Sequence, residues 1–127
     1  MAFKKLINPR RSVAGKYDTP HVTISKNQII LNDKGRELIG DEFNYVLLYF
    51  DDETSSVGFW FWKERVLDSY GIAGGKKQKE TNCIMINGKR FLEKFGIRKK
   101  VEEIGKDSYP LVRDEKNKDF YIAALKK

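Results

Sequence analysis

Hydrophobic and polar positions along the chain fall into two short strand-like runs, a helix-like stretch, and two longer apolar runs. In His21-Val22-Thr23-Ile24-Ser25, just after Pro20, Val22 and Ile24 alternate with polar neighbours, which predicts a first strand. Lys26-Asn27 predicts the turn, since Asn tolerates positive φ, and Gln28 to Leu31 predicts the returning strand. Asn32 is a favoured helix N-cap and Gly40 stands about two turns later, where a left-handed cap is wanted, so a short helix is expected between them. Gly35 lowers its intrinsic propensity by roughly 1 kcal/mol relative to Ala, so packing of Leu38 and Ile39 must hold it. Tyr45 to Phe50 is almost continuously apolar, Asp51-Asp52-Glu53-Thr54-Ser55 turns, and Ser56 to Trp62 runs back as a hairpin.

Phe59-Trp60-Phe61-Trp62 ends that hairpin. Alternation places Phe59 and Phe61 on one face and Trp60 and Trp62 on the other. A single-sided core takes one pair, here the phenylalanines, and the tryptophans then meet a second protein layer, a dimer mate or unstacked bases, burial being expected. Further on, Val66, Leu67 and Tyr70 fall on one face of a short helical turn, and Gly71 to Gln78 reads as a linker. Its Gly74-Gly75-Lys76-Lys77 lacks the spaced Gly-Lys-Ser/Thr of a phosphate loop. The opening pattern then returns: Cys83 to Ile86 as a strand, Asn87 as an N-cap, Phe91, Leu92 and Phe95 as a helix face before Gly96. Leu111 to Arg113 and Phe120 to Leu125 then flank the polar turn Asp114 to Lys118.

Asn27-Gln28-Ile29-Ile30-Leu31-Asn32, followed by Arg36, Ile39 and Gly40, resembles the AbrB/SpoVT/MazE swapped-hairpin family. That family's core runs Gly-Arg, three apolar residues, Pro, three residues, Arg, two residues, Leu-Gly. The apolar triplet, Arg36 and Gly40 fall in step, whereas Asn27-Gln28 stands for Gly-Arg and Asn32 for Pro. The resemblance covers residues 21–62. It implies a mostly β chain with short helices (α+β), an AbrB-like swapped-hairpin β-barrel, and a dimer or pseudodimer presenting strands and loops to DNA. The repeated order of elements adds the expectation of a duplication within the chain, with related units 20–62 and 82–125 in one compact domain 20–127, behind a basic arm 1–19.

Composition narrows the function. One Cys83 and one His21 exclude an internal disulfide and the usual multi-cysteine or histidine metal centres, and a reducing, cytoplasmic setting fits best. No apolar run approaches the ~20 residues of a membrane span. No metal, cofactor or membrane is expected. The net charge of +7 is uneven: residues 1–27 hold six bases and one acid, 28–70 four and nine, 71–127 fifteen and eight. Clustered Lys and Arg gain by releasing counterions from phosphates, so a polyanion is the expected partner.

An enzyme is not expected. Asp51-Asp52-Glu53 and Glu102-Glu103 are adjacent carboxylates without a histidine or second acidic cluster in reach, and no nucleophile and base can be paired. The leading expectation is a non-enzymatic nucleic-acid-binding protein, DNA rather than RNA, of transcription-regulator type and dimeric or pseudodimeric. Lys4, Lys5, Arg10, Arg11, Lys26 and Arg36 are its phosphate contacts, and Asn27 and Gln28 read base edges. Two alternatives stand beside it: a single-stranded nucleic-acid binder stacking bases on Trp60 and Trp62, and a protein-binding inhibitor or adaptor docking through the aromatic strand.

Overall fold

The computed structural model describes residues 17–74 and 83–126. Eight antiparallel strands close a barrel: β1 (His21–Ile24), β2 (Ile29–Leu31), β3 (Tyr45–Asp51), β4 (Ser56–Trp62), β5 (Tyr70–Gly74), β6 (Ile84–Ile86), β7 (Ser108–Arg113) and β8 (Phe120–Ala124). Among the described residues three short helices join them, α1 (Asp33–Ile39), α2 (Lys89–Lys94) and α3 (Ile97–Ile104). Around the barrel the order is β1-β2-β6-β5-β3-β4-β8-β7. Among the described residues no helix is long and apolar enough to cross a membrane.

That order has an internal symmetry. Exchanging β1 with β5, β2 with β6, β3 with β7 and β4 with β8 returns the same closed sequence of neighbours. Registers agree with it: the shift that carries Asn32 onto Asn87 carries the pair Ile29↔Ile86 onto Leu31↔Ile84, and the shift that carries Phe59 onto Tyr121 carries Gly58↔Ile122 onto Trp60↔Phe120. An approximate twofold axis therefore passes through the β2–β6 and β4–β8 ladders. The halves interleave, because β1 of the first half pairs with β7 of the second and β5 of the second pairs with β3 of the first.

Each inward face follows the strand period of two. Val22, Ile24, Ile29, Leu31, Val46, Phe59, Phe61, Ile86, Tyr109, Leu111 and Tyr121 fill the interior. Phe61 lies against Phe59 at 6.4 Å and meets Tyr121 edge-on at 5.7 Å, so residues of both halves form one core. The expected assignment of the aromatic strand holds: Phe59 and Phe61 point in, Trp60 and Trp62 out.

Asn32 does more than cap a helix. Its Oδ1 accepts from Gly35 N at 2.8 Å and from His21 N at 3.0 Å, while its Nδ2 donates to the Thr19 carbonyl at 3.0 Å. One amide thus ties α1 to the start of β1. Gly40 ends the helix at φ +94°, a value costly for any residue with a Cβ, and donates to the Arg36 carbonyl at 2.8 Å.

Several expectations need correction. No helix forms over 63–70. The supposed linker begins as β5, which bridges β3 and β6 through Tyr45↔Gly71 and Ile72↔Ile86. Its three glycine and alanine positions lack the bulk that marks a strand, yet the barrel cannot close without it. Residues 75–78 of that stretch lie outside the described residues. Asn87 does not cap α2; Gly88 occupies that position without a side-chain hydrogen bond. The β1–β2 turn needs no positive φ at Asn27. Ser25 closes it instead, its N–H and Oγ both donating to the Gln28 carbonyl at 2.9 and 3.0 Å. Helix α3, bounded by Gly96 and Gly105 in left-handed conformation, was not anticipated, although Ile97, Val101 and Ile104 recur at helical spacing.

Replacing Phe59 with Ala should cost roughly 3 to 5 kcal/mol in denaturant unfolding, whereas Trp60→Ala should cost less than about half as much. Equal losses would mean that the two faces of β4 are equally buried.

Candidate nucleic-acid interface

The twofold axis has two ends, and the barrel surfaces around them differ in chemistry. At one end lie β1, β2, β6 and β5, none of which contains an acidic residue. Ile30 and Met85 face each other across the axis there. Outward positions on these strands carry no charged Asp, Glu, Lys or Arg: Ile30 and Met85 are apolar, and the Thr23 hydroxyl shares a 2.8 Å hydrogen bond with Ser108 on β7. At one margin the β1–β2 turn exposes Lys26 and Asn27, with Gln28 half-buried as it enters β2. The three predicted contacts Lys26, Asn27 and Gln28 are therefore brought together.

Helix α3 flanks that turn and contributes bases that the sequence reading passed over. The Arg98 guanidinium donates to the Ile24 carbonyl at 3.1 Å, and Ile24 N donates to the Asp107 carbonyl at 2.8 Å, so the first turn of α3 and the loop after it both fasten to the last residue of β1. Arg98 also lies 4.0 Å from Glu102. Lys94, the last residue of α2, and Lys100 of α3 place their ammonium groups over the rings of Phe95 and Phe50, 5.5 and 5.8 Å from the ring centres. The signal for this cluster was present as Arg98-Lys99-Lys100 one position after a helix-starting Gly96 and Ile97.

Arg36 is placed differently from expectation. Its Nε donates to Asp41 Oδ1 at 3.0 Å, and only 12% of its side chain is exposed. The pair sits across the Gly40 cap, so Arg36 is committed to holding the end of α1 and is withdrawn from the set of phosphate contacts. Lys4, Lys5, Arg10 and Arg11 lie outside the described residues.

The described residues carry sixteen Lys and Arg against seventeen Asp and Glu, so the barrel itself is electrically balanced. The surplus of base belongs to Lys4, Lys5, Arg10, Arg11 and Lys16, to Lys76, Lys77 and Lys79 in the connection from β5 to β6, and to Lys127.

The other end of the axis is apolar. On the outer surface of β3, β4 and β8, the Trp60 and Trp62 rings are 4.9 Å apart, Tyr49 lies 6.4 Å from Trp60, and Phe120 meets Tyr49 edge-on at 5.7 Å. Trp60 is 39% exposed, contrary to the expected burial of both tryptophans. Trp62 is half-buried, with its Nε1 enclosed and without a hydrogen-bond acceptor among the described residues.

Cys83 and Tyr109 are both buried. Burial, reinforced by Asp33, pushes the Cys83 thiol above its ordinary 9.0, with Arg36 acting in the opposite sense. Burial and then Asp107 raise the Tyr109 phenol, Arg98 opposing them, while its hydroxyl donates to the Lys106 carbonyl. Among the described residues no group of His, Cys, Asp and Glu could hold a metal ion. Compared with protein-family models, curated proteins and solved structures, the chain matches none.

Both raised groups are protonated in the fold and ionise more readily in the unfolded chain. Their contribution to stability is therefore complete below about pH 9 and is lost as pH rises through their folded values. Denaturant midpoints should hold level from pH 7 to 8.5 and fall above that, and Cys83→Ala should flatten the first part of the fall. A midpoint that rises with alkalinity would contradict these signs.

Proposed function

We propose that the protein binds duplex DNA, as a single-chain counterpart of the dimeric swapped-hairpin barrel. Its two related units would be 20–62 and 68–125, the second extended backwards to include β5. Two features support the relationship: the register of residues 27–40, and a strand order that is unchanged when the halves are exchanged. One chain supplies all eight strands, so closing the barrel does not require a homodimer.

The observation that carries the functional reading is the acid-free half of the barrel formed by β1, β2, β6 and β5. Its two hairpin connections leave from opposite margins, and both bear lysine: Lys26 in one, Lys76, Lys77 and Lys79 in the other. A phosphate backbone crossing the Ile30–Met85 centre would meet no carboxylate on these strands and would find Lys26 at one margin, with Lys76, Lys77, Lys79 and Glu80 in the sequence that connects β5 to β6. Asn27 is exposed in the β1–β2 turn and Gln28, half-buried, follows it, and both carry amides able to read base edges. Lys4, Lys5, Arg10 and Arg11 add sequence-independent attraction from the N-terminal segment, which joins the barrel beside β1.

The exposed Trp60 favours a second reading, stacking of single-stranded bases. Against it stand six carboxylates on the β3–β4 and β7–β8 hairpins and turns, Asp51, Asp52, Glu53, Asp114, Glu115 and Asp119, with three bases. Phosphates brought to that surface would be repelled.

Binding should be measured on duplex and single-stranded DNA across a salt series. With about five phosphate contacts the logarithm of affinity should fall against the logarithm of salt with a slope near −4 to −5 for duplex. Deleting residues 1–16 should weaken duplex binding at least about tenfold and leave the melting temperature nearly unchanged, and Lys26→Ala should reduce the slope by about one. A flat salt response, or preference for single strands abolished by Trp60→Ser, would reject the proposal.

A further inference from the structure

The aromatic end of the axis lies on the opposite side of the barrel from the strands proposed to face DNA. Monomeric proteins seldom leave a large contiguous apolar patch in water. Here Tyr49 is 42%, Trp60 39% and Val112 60% exposed on neighbouring strands, since β3 pairs with β4, β4 with β8, and β8 with β7. The patch is built rather than incidental. Gly58 leaves a gap between Tyr49 and Ile122 on the adjoining strands, and the Phe120 ring lies over it so closely that a Cβ on Gly58 would stand 2.5 Å from Phe120 Cζ. The glycine lets the ring lie low and leaves Tyr49 and Trp60 standing above it.

We infer that this face docks a cationic polypeptide segment that carries apolar side chains. The apolar centre calls for aliphatic or aromatic groups, Trp and Tyr being the side chains that most often dominate binding energy at interfaces. The rim sets the charge. The β3–β4 and β7–β8 hairpins hold six acids and three bases, while the rest of the described residues hold thirteen bases and eleven acids. Among the three rim bases Arg113 is already engaged with the Tyr121 hydroxyl at 3.2 Å, and no ion pair within 4.0 Å neutralises Asp51, Asp52 or Glu53 among the described residues. A second copy laid face to face would set acid on acid, so charge selects a basic partner. Trp60 lies in β4, which is paired on both sides, by β3 and by β8, so recognition at the centre of the patch runs through side chains.

The test uses the full chain and a fluorescein-labelled synthetic peptide of alternating lysine and leucine, read by anisotropy. The expected result is saturable binding that weakens with salt, falls at least about tenfold in Trp60→Ser, and falls severalfold when Asp51, Asp52 and Glu53 are replaced together by Asn, Asn and Gln. These are surface positions, and circular dichroism verifies that each variant remains folded. Equal binding of a glutamate–leucine peptide would overturn the inference by showing charge-blind adhesion, as would binding unaffected by Trp60→Ser. It would also be overturned by competition from oligo(dT) that depends on Trp60, by a dimer in sedimentation that Trp60→Ser dissociates, or by binding that appears only after residues 1–16 are removed. These three results would make the occupant a nucleic acid, a second copy, or the chain's own N-terminal segment.

Discussion

Barrel closure demands strands from both halves of the chain, and the rest of the structure depends on that constraint. The hairpins β1–β2 and β3–β4 are local, but the first half does not join them to each other. Each is completed by the other half, β1 by β7 and β3 by β5, with β2–β6 and β4–β8 as seams on the twofold axis. A half standing alone would expose unpaired strand edges along both hairpins and the apolar faces of Phe59, Phe61 and Tyr121. Burial of those rings and pairing of those edges are therefore one event. Asn32 shows how local chemistry serves it, since the amide that starts α1 also fixes where β1 begins, and with it the register against β7.

A twofold framework makes departures from symmetry informative. The strands around Ile30 and Met85 carry no acid, while the hairpins at the opposite end of the axis carry six and an exposed aromatic cluster. Fold symmetry cannot produce that contrast, because the axis relates margins of the same face and not one face to the other. The barrel as a whole is charge-balanced, so the excess of base in the sequence resides in its flanking and connecting segments. Together these features describe one barrel with acid-free strands at one end of its axis and an exposed aromatic cluster rimmed by carboxylates at the other; a polyanion at the first and a basic, apolar partner at the second are the proposals they support.

Much of this was legible in the sequence where the signal is local. The run Val22, Ile24, Ile29, Leu31 and the alternation of Phe59 to Trp62 gave strands and their inward faces correctly, because the period of two needs no knowledge of partners. Asn32 and Gly40 marked the helix for similarly local reasons. Strand β5 was hidden because Gly71, Ala73 and Gly74 carry no bulk, and its strand character comes from pairing with β3 and β6, which are distant in sequence. Arg36 could be matched to a family position, but its commitment to Asp41 depends on how Gly40 turns the chain. Phe120 lies over Gly58 on the face that carries Trp60, a contact between strands far apart in the chain. The basic cluster of α3 went unassigned because its place beside Lys26 is set by bonds from Arg98 and Asp107 to Ile24.

Native-state hydrogen exchange tests the interleaving most directly, because it reads the opening free energy strand by strand. If the halves form one closed unit, the central amides of β1, β7, β3, β4 and β8 should exchange with a common free energy equal to that of global unfolding, and should lose protection together as denaturant is added. Protection that persists in β1, β2, β3 and β4 while β6, β7 and β8 exchange freely would show that the first half stands without the second, and would contradict the account.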